Sequence, residues 1–356
     1  MAMQLLCVGD IALMDPQSAG WAWEPPGGLH PGDDARILFN WELPSGKTVN
    51  SVPRSSGPRL VAHVDSIRAI YKWAPGFATL ATNHMLDAGE EGLTYTLESL
   101  ARAGFYTVGA GRTREEIARP LFWETPEGKL AVINWVFPET HPEWQAVPGP
   151  NCWPGSERAA QTIAELKTLA DWVLVVVHWS DELFCYPRPE DRDIAGDLAR
   201  MGADLIIGHH PHVVRGMEVI GSCPVFYSLG NFYFSELQEV SGRWIVKEAP
   251  RNREALAVEI RFRRGQAPSY QALSFWRTKD QAVPDPLHRA TRRMRATSRP
   301  LQRWRGPGYA AWYAAQRARF DRWGCLLQFG LCKLDRRNVM RILSRSLHSR
   351  HRGASC

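Results

Sequence analysis

The sequence has few features of a disulfide-stabilised, exported or membrane-spanning protein. Its 356 residues include seven cysteines, an odd number without a C-x-x-C pair, which argues against a disulfide framework or a zinc ribbon. No apolar run approaches the ~20 residues of a membrane-spanning helix. Residues 1–8 lead into a strand-like segment without the basic start and cleavage site of a signal peptide. We therefore expect a cytoplasmic protein in a reducing compartment.

The composition is that of a globular protein. Hydrophobic residues make up 44% of the chain and charged residues 22%, a balance that supports a large buried core and excludes disorder throughout. At 356 residues, the chain exceeds what one hydrophobic core usually serves. The length therefore predicts one large domain with an appendage, or two smaller domains.

Positive charge is concentrated at the C-terminal end of the chain. Residues 281–356 contain 17 basic residues and three aspartates, so they carry +14 and leave about −8 for the rest. Such a split usually reports an anionic partner for the basic part. We predict a main domain over residues 1–270, a basic linker over 271–308 and an arginine-rich amphipathic helical tail over 309–356.

The basic C-terminal part has more than one interpretation. Apolar residues recur at helical spacing among its arginines, which suits a helix lying on anionic lipid at the inner face of the membrane. Arg292, Arg293 and Arg295 of the linker are candidates for binding the same surface. A helix docked on its own domain explains the pattern equally well. The absence of a recognisable motif argues against nucleic acid as the partner.

Short apolar runs alternate with helix-like stretches in the main domain. The runs are residues 5–8, 37–39, 77–80, 130–136, 173–177 and 205–207. The helix-like stretches are residues 92–103, 157–169 and 191–201. Each run is too short for a helix and most end at glycine, asparagine or a polar cluster. This alternation predicts an α/β domain with a central, largely buried sheet.

Polar side chains follow five of these runs. The residues are Asp10, then Asn40 and Glu42, then Asn83 and His84, then His178, and finally His209, His210 and His212. Residues that follow strands lie at the carboxyl ends, which is the edge where open α/β sheets build their sites. One such residue can be a turn or a cap, but five strands that end this way indicate a common site.

The side chains at this edge suit a divalent metal. They offer oxygen and imidazole donors and no thiolate, a set that fits one or two ions of Mn²⁺, Fe²⁺ or Zn²⁺. The predicted ligands are Asp10, Glu42, Asn83, His178, His210 and His212. Two neighbouring cations would lower the pKa of a shared water and stabilise the oxygens of a displacement. His84 would then protonate the leaving group.

The residues next to these ligands have alternative roles. Asp87 would either orient the His84 imidazole or cap the following stretch. His209 would hydrogen-bond a backbone carbonyl or orient a ligand. Glu182 would contact a ligand or remain a solvated loop charge. Trp179 would form an apolar wall or a platform for a sugar ring.

Six motifs occur in a fixed order over roughly residues 5–262. They are VGDIAL (8–13), NWELP (40–44), ATNHMLDAGEEGL (81–93), VVVHWSDE (175–182), GADLIIGHHPHVVRGMEV (202–219) and PVFYSLGNFYF (224–234). Together they resemble the bacterial capsule synthesis protein family CapA, the poly-γ-glutamate biosynthesis family, which is related to the calcineurin-like metallophosphoesterases. The resemblance implies a four-layer α/β/β/α fold, the six metal positions given above, His84 as the catalytic acid and Asn231 near the site.

The chain departs from the wider phosphoesterase pattern near the site. Phosphoesterases place a histidine two residues after the first aspartate, and Ala12 stands at that position here. The number of bound ions, one or two, is therefore left open. Met85 follows His84 where an acidic residue is frequent. Ser180 replaces the glycine that usually follows the His-Trp pair.

The resemblance implies a function in polymer metabolism. We expect a metal-dependent hydrolase or transferase, with activated hydroxide as the nucleophile, that acts on a phosphoester or amide bond of a polymer precursor or conjugate. The polymer would be a capsule, an exopolysaccharide or a poly-γ-glutamate. The alternative is a non-catalytic, membrane-associated assembly component of a polymer synthase complex.

Overall fold

A computed structural model gives the fold of most of the chain. The residues that it describes are 2–14, 23–32, 34–46, 59–238, 244–246 and 249–329. The helices are α1 (Gly89–Arg102), α2 (Arg114–Ala118), α3 (Ser156–Leu169), α4 (Pro189–Met201), α5 (Arg289–Arg303) and α6 (Gly306–Phe329). Short 3₁₀ helices lie at Pro26–Gly28, Ser66–Trp73, Pro138–Thr140 and Pro250–Arg253.

Eighteen strands are present in the described residues. They are β1 (Met3–Ala12), β2 (Ala35–Trp41), β3 (Gly76–Thr79), β4 (Phe105–Val108), β5 (Ala110–Gly111), β6 (Leu121–Thr125), β7 (Gly128–Val136), β8 (Gly149–Pro150), β9 (Trp172–His178), β10 (Leu205–His209), β11 (Met217–Ile220), β12 (Cys223–Phe226), β13 (Asn231–Phe234), β14 (Leu237–Gln238), β15 (Trp244–Val246), β16 (Glu254–Phe262), β17 (Ser269–Arg277) and β18 (Ala282–Pro284).

Two mixed sheets form the centre of the fold. The first has eight strands in the order β18-β17-β16-β1-β2-β3-β4, with β13 paired beside β1. Strands β1 to β4 are parallel, whereas β16 to β18 are antiparallel. The second sheet has the order β11-β12-β10-β9-β7-β6, and its four central strands are parallel. Two small pairs, β5-β8 and β14-β15, complete the described strands.

The sequence of each element matches its burial. Strand β9 reads WVLVVVH and is buried at every residue, which is typical of a parallel strand covered on both faces. Helix α3 buries Ala159, Ile163 and Leu166, whose spacing of four and three places them on one face. Gly202 follows the last residue of α4 and caps the helix. Its φ is 112°, a conformation that glycine adopts without strain.

Three apolar cores separate four layers. The core between the two sheets includes Leu5, Cys7, Leu38 and Phe77 of the first and Val132, Leu174, Val176 and Ile207 of the second. The outer face of the first sheet packs against α1 and the 3₁₀ helix Ser66–Trp73. The outer face of the second sheet packs against α3 and α4. This arrangement confirms the predicted four-layer α/β/β/α fold.

Residues 271–308 differ from the basic linker that we predicted. Strands β17 and β18 extend the first sheet through part of this segment, and α5 follows. Helix α5 packs on β11, β16 and β17 and buries Ala290, Met294 and Leu301. These three buried residues are spaced four and seven residues apart, which is typical of a helix with one buried face. The many arginines between them led to the prediction of a linker. The division of the chain into domains stays a prediction.

The three linker arginines occupy different environments. Arg293 forms an ion pair with Glu254 of β16, so a neighbouring carboxylate compensates its charge. Binding of Arg293 to an external anionic surface stays a prediction. Arg292 and Arg295 are exposed on the same helix and stay candidates for binding an anionic surface.

The described part of the predicted tail docks on the protein itself. Tyr309 of α6 is buried and donates a hydrogen bond to the carbonyl of Pro187 at 2.7 Å. Arg317 lies 2.7 Å from Asp181. These contacts favour the docked interpretation of the tail, whose residues 330–356 lie outside the described residues. Among the residues described, no helix is both long and apolar enough to cross a bilayer.

Candidate metal centre

The predicted ligands meet at one edge of the two sheets. In the first sheet, Asp10 of β1 is in register with Asn40 of β2 and with Asn231 of β13. In the second sheet, His178 at the end of β9 is in register with His209 at the end of β10. Parallel neighbours end at the same edge, so residues that are distant in sequence become adjacent. All five side chains are buried.

Asn40 links the two acidic residues of the site. Its Nδ2 donates to Asp10 Oδ1 at 3.0 Å and to Glu42 Oε2 at 2.6 Å. Its Oδ1 accepts a hydrogen bond from Thr79 Oγ1 at 3.2 Å, which fixes the orientation of the amide. The asparagine therefore holds both carboxylates in place without adding a charge.

Glu42, Asn83, His178 and His210 form the first group of donor atoms. His178 Nε2 lies 3.0 Å from Asn83 Oδ1 and 3.1 Å from His210 Nδ1. It also lies 3.5 Å from Glu42 Oε1. One ligand atom each from Glu42, His210 and His212 lies within 4.8 Å of the others. These side chains point to a common centre.

Asp10, His209, His212 and Asn231 form the second group. His209 Nδ1 lies 2.8 Å from Asp10 Oδ1, so this histidine orients the carboxylate. His212 Nδ1 lies 2.8 Å from Asn231 Oδ1 and 3.3 Å from Asp10 Oδ2. The structure thus brings together every ligand position predicted from the sequence, and the site candidates Asn40, His209 and Asn231 contact these residues.

The loop after β10 has an unusual backbone at both H-x-H histidines. His210 has a φ of 92° and His212 a φ of 56°. Residues other than glycine adopt such angles at a cost of about 1–3 kcal/mol each, and they persist only where the surroundings enforce them. Asn252 Nδ2 donates to the carbonyl of His212 at 3.0 Å, which helps to hold this conformation.

Burial and mutual contacts shift the pKa values of the cluster. Burial alone would raise the pKa of Asp10, but hydrogen bonds from neighbouring histidines hold it well below its usual value. Burial and the charge of Asp10 raise the pKa of Glu42 to about 8. Burial lowers the pKa of His178 and of His210. Burial also opposes protonation of His212, yet Asp10, whose Oδ2 lies 3.3 Å from His212 Nδ1, and other nearby carboxylates raise its pKa to about 10.

Two buried carboxylate oxygens test whether the residues fit a metal. Asp10 Oδ2 and Glu42 Oε1 have no hydrogen-bond partner among the described residues. An unpaired buried carboxylate oxygen is unfavourable, and a divalent cation would satisfy both. The surrounding donors are amide oxygens and imidazoles, which suit borderline divalent ions. The residues therefore fit a divalent metal.

His84 and Asp87 form a pair beside the ligands. His84 Nδ1 lies 2.6 Å from Asp87 Oδ2, and the same oxygen accepts a hydrogen bond from the backbone N–H of Leu60 at 2.8 Å. Helix α1 begins without a side-chain cap. The geometry thus matches the orienting role for Asp87.

The structure corrects the platform role of Trp179. Its indole is fully buried and stacks on Tyr227 at a centroid distance of 5.8 Å. Its Nε1 donates to the Tyr227 carbonyl at 3.2 Å. The large apolar ring is therefore enclosed in the core and offers no face to a sugar. Glu182 is exposed, which matches a solvated loop charge.

Arg215 is a buried residue that the sequence analysis did not single out. Its guanidinium donates to the carbonyl of Phe184 at 2.9 Å, to the carbonyl of Asp181 at 2.7 Å and to Ser180 Oγ at 2.6 Å. Burial lowers its pKa. These bonds fix the loop that follows β9.

The position of Arg215 in the chain explains its role. It lies three residues after His212, and it contacts the loop that begins directly after His178. Asp191 of α4 lies 3.6 Å from its guanidinium and provides the opposite charge. The arginine therefore connects two ligand-bearing segments. Arg215 lies in the motif GHHPHVVRG, next to predicted ligands, and this position in the sequence could have marked it as a site residue.

The fold and the donor set together define a four-layer α/β/β/α protein with a candidate metal centre at one edge of its sheets. Two packed sheets bring carboxylate, amide and imidazole groups from distant segments to one edge, beside a histidine held by an aspartate. A comparison with family models matches residues 5–236 to the bacterial capsule synthesis protein PGA_cap. This match covers more than half of the chain, and the protein belongs to that family.

Two curated relatives are named for PGA or capsule biosynthesis. The PGA biosynthesis protein CapA of Bacillus subtilis is 29% identical over 203 residues, which are 56% of this chain and 53% of that protein. The capsule biosynthesis protein CapA of Bacillus anthracis is 28% identical over 186 residues, 50% of this chain and 44% of that protein. The chain thus spans about half the length of these relatives.

Two solved structures are similar at low sequence identity. A hypothetical protein from Thermus thermophilus aligns with a TM-score of 0.44 and 15% identity, over 76% of this chain and 99% of that chain. The NAD nucleotidase of Haemophilus influenzae aligns with a TM-score of 0.40 and 13% identity, over 90% of this chain and 61% of that chain.

Proposed function

We propose that the protein is a metal-dependent hydrolase or transferase that acts on a phosphoester or amide bond of a polymer precursor or conjugate. The observation that carries the proposal is the buried cluster of Glu42, His210 and His212, beside an oxygen of Asp10 that accepts no hydrogen bond from the described residues. Membership of the capsule synthesis family and the names of the curated relatives support a role in capsule or poly-γ-glutamate metabolism.

The chain's own residues provide the binding site for one or two ions of Mn²⁺, Fe²⁺ or Zn²⁺. The residues that would hold the metal are Asp10, Glu42, Asn83, His178, His210 and His212. A divalent ion bound there supplies Lewis-acid chemistry, because it lowers the pKa of water and stabilises negative charge on substrate oxygens. Asn40 fixes the two carboxylates, and His209 and Asn231 orient neighbouring ligands.

His84 provides the proton for the leaving group. Its Nδ1–H donates to Asp87, so the proton that is transferred sits on Nε2. The His84 side chain is 9% exposed and that of Asp87 4%, so water competes little for their hydrogen bond. Asp87 is a positioning residue that holds the ring and its tautomer.

Metal analysis combined with turnover tests this proposal. We expect purified protein to contain Mn, Fe or Zn by mass spectrometry and to hydrolyse a phosphodiester or a γ-glutamyl amide. Glu42→Gln keeps the side-chain shape but removes a charge, so metal content and activity should fall together. His84→Asn should keep the metal and lower kcat by about 10²–10⁴, the usual contribution of a general acid. Exposed His30 provides the control His30→Asn.

Three outcomes would each contradict a part of this proposal. Normal metal content in Glu42→Gln would show that the ion binds elsewhere. Full activity of His84→Asn on a substrate with a poor leaving group would remove the proton-transfer role. Metal binding without turnover of either substrate class would instead favour the non-catalytic assembly component.

A further inference from the structure

A cavity lies between α5, α6 and the loop that follows β9. Its volume is about 560 Å³. Aromatic side chains and arginines form most of its wall. The main lining residues are Phe184, Tyr186, Arg251, Arg293, Arg319 and Phe320.

Positive charge dominates this cavity. Arg293 is paired with Glu254. Arg251 and Arg319 have no carboxylate partner within the part of the chain that the structure describes, and Arg251 Nη1 lies 3.8 Å from Cys185 Sγ. Three guanidinium groups therefore line the cavity with one carboxylate to compensate them.

The aromatic walls strengthen the attraction for an anion. The rings of Phe184 and Phe320 are 5.1 Å apart, and Tyr186 makes an edge contact with Phe184 at 5.7 Å. Arg251 is half-buried and Arg319 is exposed. Apolar walls lower the local dielectric constant, so the half-buried guanidinium of Arg251 attracts an anion more strongly than it would in water. The planar fork of arginine also donates paired hydrogen bonds to carboxylates and phosphates.

The cavity and the metal centre share part of their framework. Asn252 follows Arg251 and donates to the carbonyl of His212 at 3.0 Å. Arg215, which lies in the segment after His212, donates to the carbonyl of Phe184 at 2.9 Å. Hydrogen bonds therefore connect the segments that line the cavity with the segment that carries His212.

The arginines of the cavity lie beyond the family match. The match ends at residue 236, whereas Arg251, Arg293 and Arg319 come from the segment before β16 and from helices α5 and α6. The charge of the cavity is thus supplied by the C-terminal part of this chain. The same part contains the excess of arginine found in the sequence.

We propose that this cavity binds an anionic group, a carboxylate or a phosphate, carried by the substrate of the metal centre. The assignment of the anion to that substrate rests on the proposed function, whereas anion binding by the cavity stands without it. The two guanidinium groups without carboxylate partners are the recognition elements, and the aromatic walls contact the apolar part of the ligand.

Calorimetric titration of the full-length protein with pyrophosphate and with tricarballylate tests the binding. We expect at least one of these anions to bind. Arg251→Gln and Arg319→Gln should each weaken binding at least fivefold, with unchanged melting temperature. Arg299→Gln removes the same charge from an exposed position of α5 that does not line the cavity, and it should change binding less than twofold. A preference between the two anions identifies phosphate or carboxylate.

The variants also distinguish the cavity from the metal centre. Binding that survives Glu42→Gln but falls in Arg319→Gln supports the cavity, even if the protein shows no turnover. Binding that is lost in Glu42→Gln and kept in Arg319→Gln would place the anion at the metal centre and overturn the proposal. The proposal would also be overturned if neither anion bound, or if Arg299→Gln weakened binding as much as Arg251→Gln and Arg319→Gln.

Discussion

Arg215 connects the segment after His212 with the loop after His178, both of them predicted metal ligands, and its side chain is buried. Two backbone carbonyls and Ser180 accept its hydrogen bonds, and the carboxylate of Asp191 lies nearby. Arginine remains charged at any pH at which the protein is folded. Its removal would leave the buried Asp191 with less compensation and the carbonyls unsatisfied.

We predict that Arg215→Met destabilises the protein strongly. Methionine retains much of the apolar stem but none of the hydrogen bonds, so the free energy of unfolding should fall by about 3–5 kcal/mol, the range for breaking a buried ion pair. Urea denaturation followed by tryptophan fluorescence measures the change. The exposed control Arg299→Met should differ from wild type by less than about 0.5 kcal/mol. A loss below about 1 kcal/mol for Arg215→Met would contradict the structural role.

Individual site residues were predictable to different degrees. Asp10, His178 and His212 follow apolar runs, so their shared edge could be predicted from strand order alone. The contacts between their atoms depend on how the two sheets pack, and no local pattern encodes that packing. For Trp179 the sequence left an apolar wall and a sugar platform open, and the burial of its ring removes only the platform.

Strands β1 and β13 approach each other closely at a pair of glycines. A Cβ atom on Gly9 would lie 1.9 Å from the carbonyl oxygen of Gly230. The backbone N–H of Asp10 donates to that same oxygen at 3.0 Å. The absence of a side chain at Gly9 therefore allows the contact that fixes the first predicted ligand.

Gly9→Ala should weaken both the fold and the site. The added methyl group forces the strands apart, so we expect a loss of about 1–3 kcal/mol in the free energy of unfolding, together with lower metal content. Gly196→Ala in α4 is the matched control, because its nearest atom is Nη1 of Arg200 at 3.5 Å and alanine favours a helix by up to about 1 kcal/mol. Thermal melts and metal analysis of both variants check this prediction. Unchanged melting and metal content in Gly9→Ala would contradict it.

Secondary structure was most predictable where apolar spacing was regular. The stretches predicted over residues 157–169 and 191–201 correspond to α3 and α4 within two residues. Helix α5 was not predicted because its high arginine content was given more weight than the spacing of its apolar residues. Its arginines suggested a linker, whereas the buried positions Ala290, Met294 and Leu301 repeat at helical intervals.

The charge distribution of the whole chain has a partial structural explanation. Some arginines of the basic segment are used internally, such as Arg293 with Glu254 and Arg317 with Asp181. The exposed arginines of α5 are Arg292, Arg295, Arg299 and Arg303. Their spacing of three to four residues places them along one face, so an anionic membrane as their partner stays a proposal.

A bound metal would stabilise the whole molecule because its ligands come from both sheets. Segments between Asp10 and His212 contribute donor atoms, and an unfolded chain would not hold these atoms together. A ligand that binds only the folded state stabilises it by about 2.7 kcal/mol at a concentration of 100 times its Kd. The oxygens without hydrogen-bond partners on Asp10 and Glu42 give the cation a specific place to act.

We therefore predict that chelation lowers the melting temperature and that Mn²⁺, Fe²⁺ or Zn²⁺ restores it. Removal of the ion leaves two buried carboxylates next to each other, so the native state loses stability while the unfolded state is unaffected. Scanning calorimetry with and without chelator measures the difference. Glu42→Gln, which lacks one carboxylate, should show a smaller difference than wild type. An equal shift in wild type and in Glu42→Gln would mean that the stabilising ion binds outside the cluster, because the shared centre between the sheets requires this glutamate.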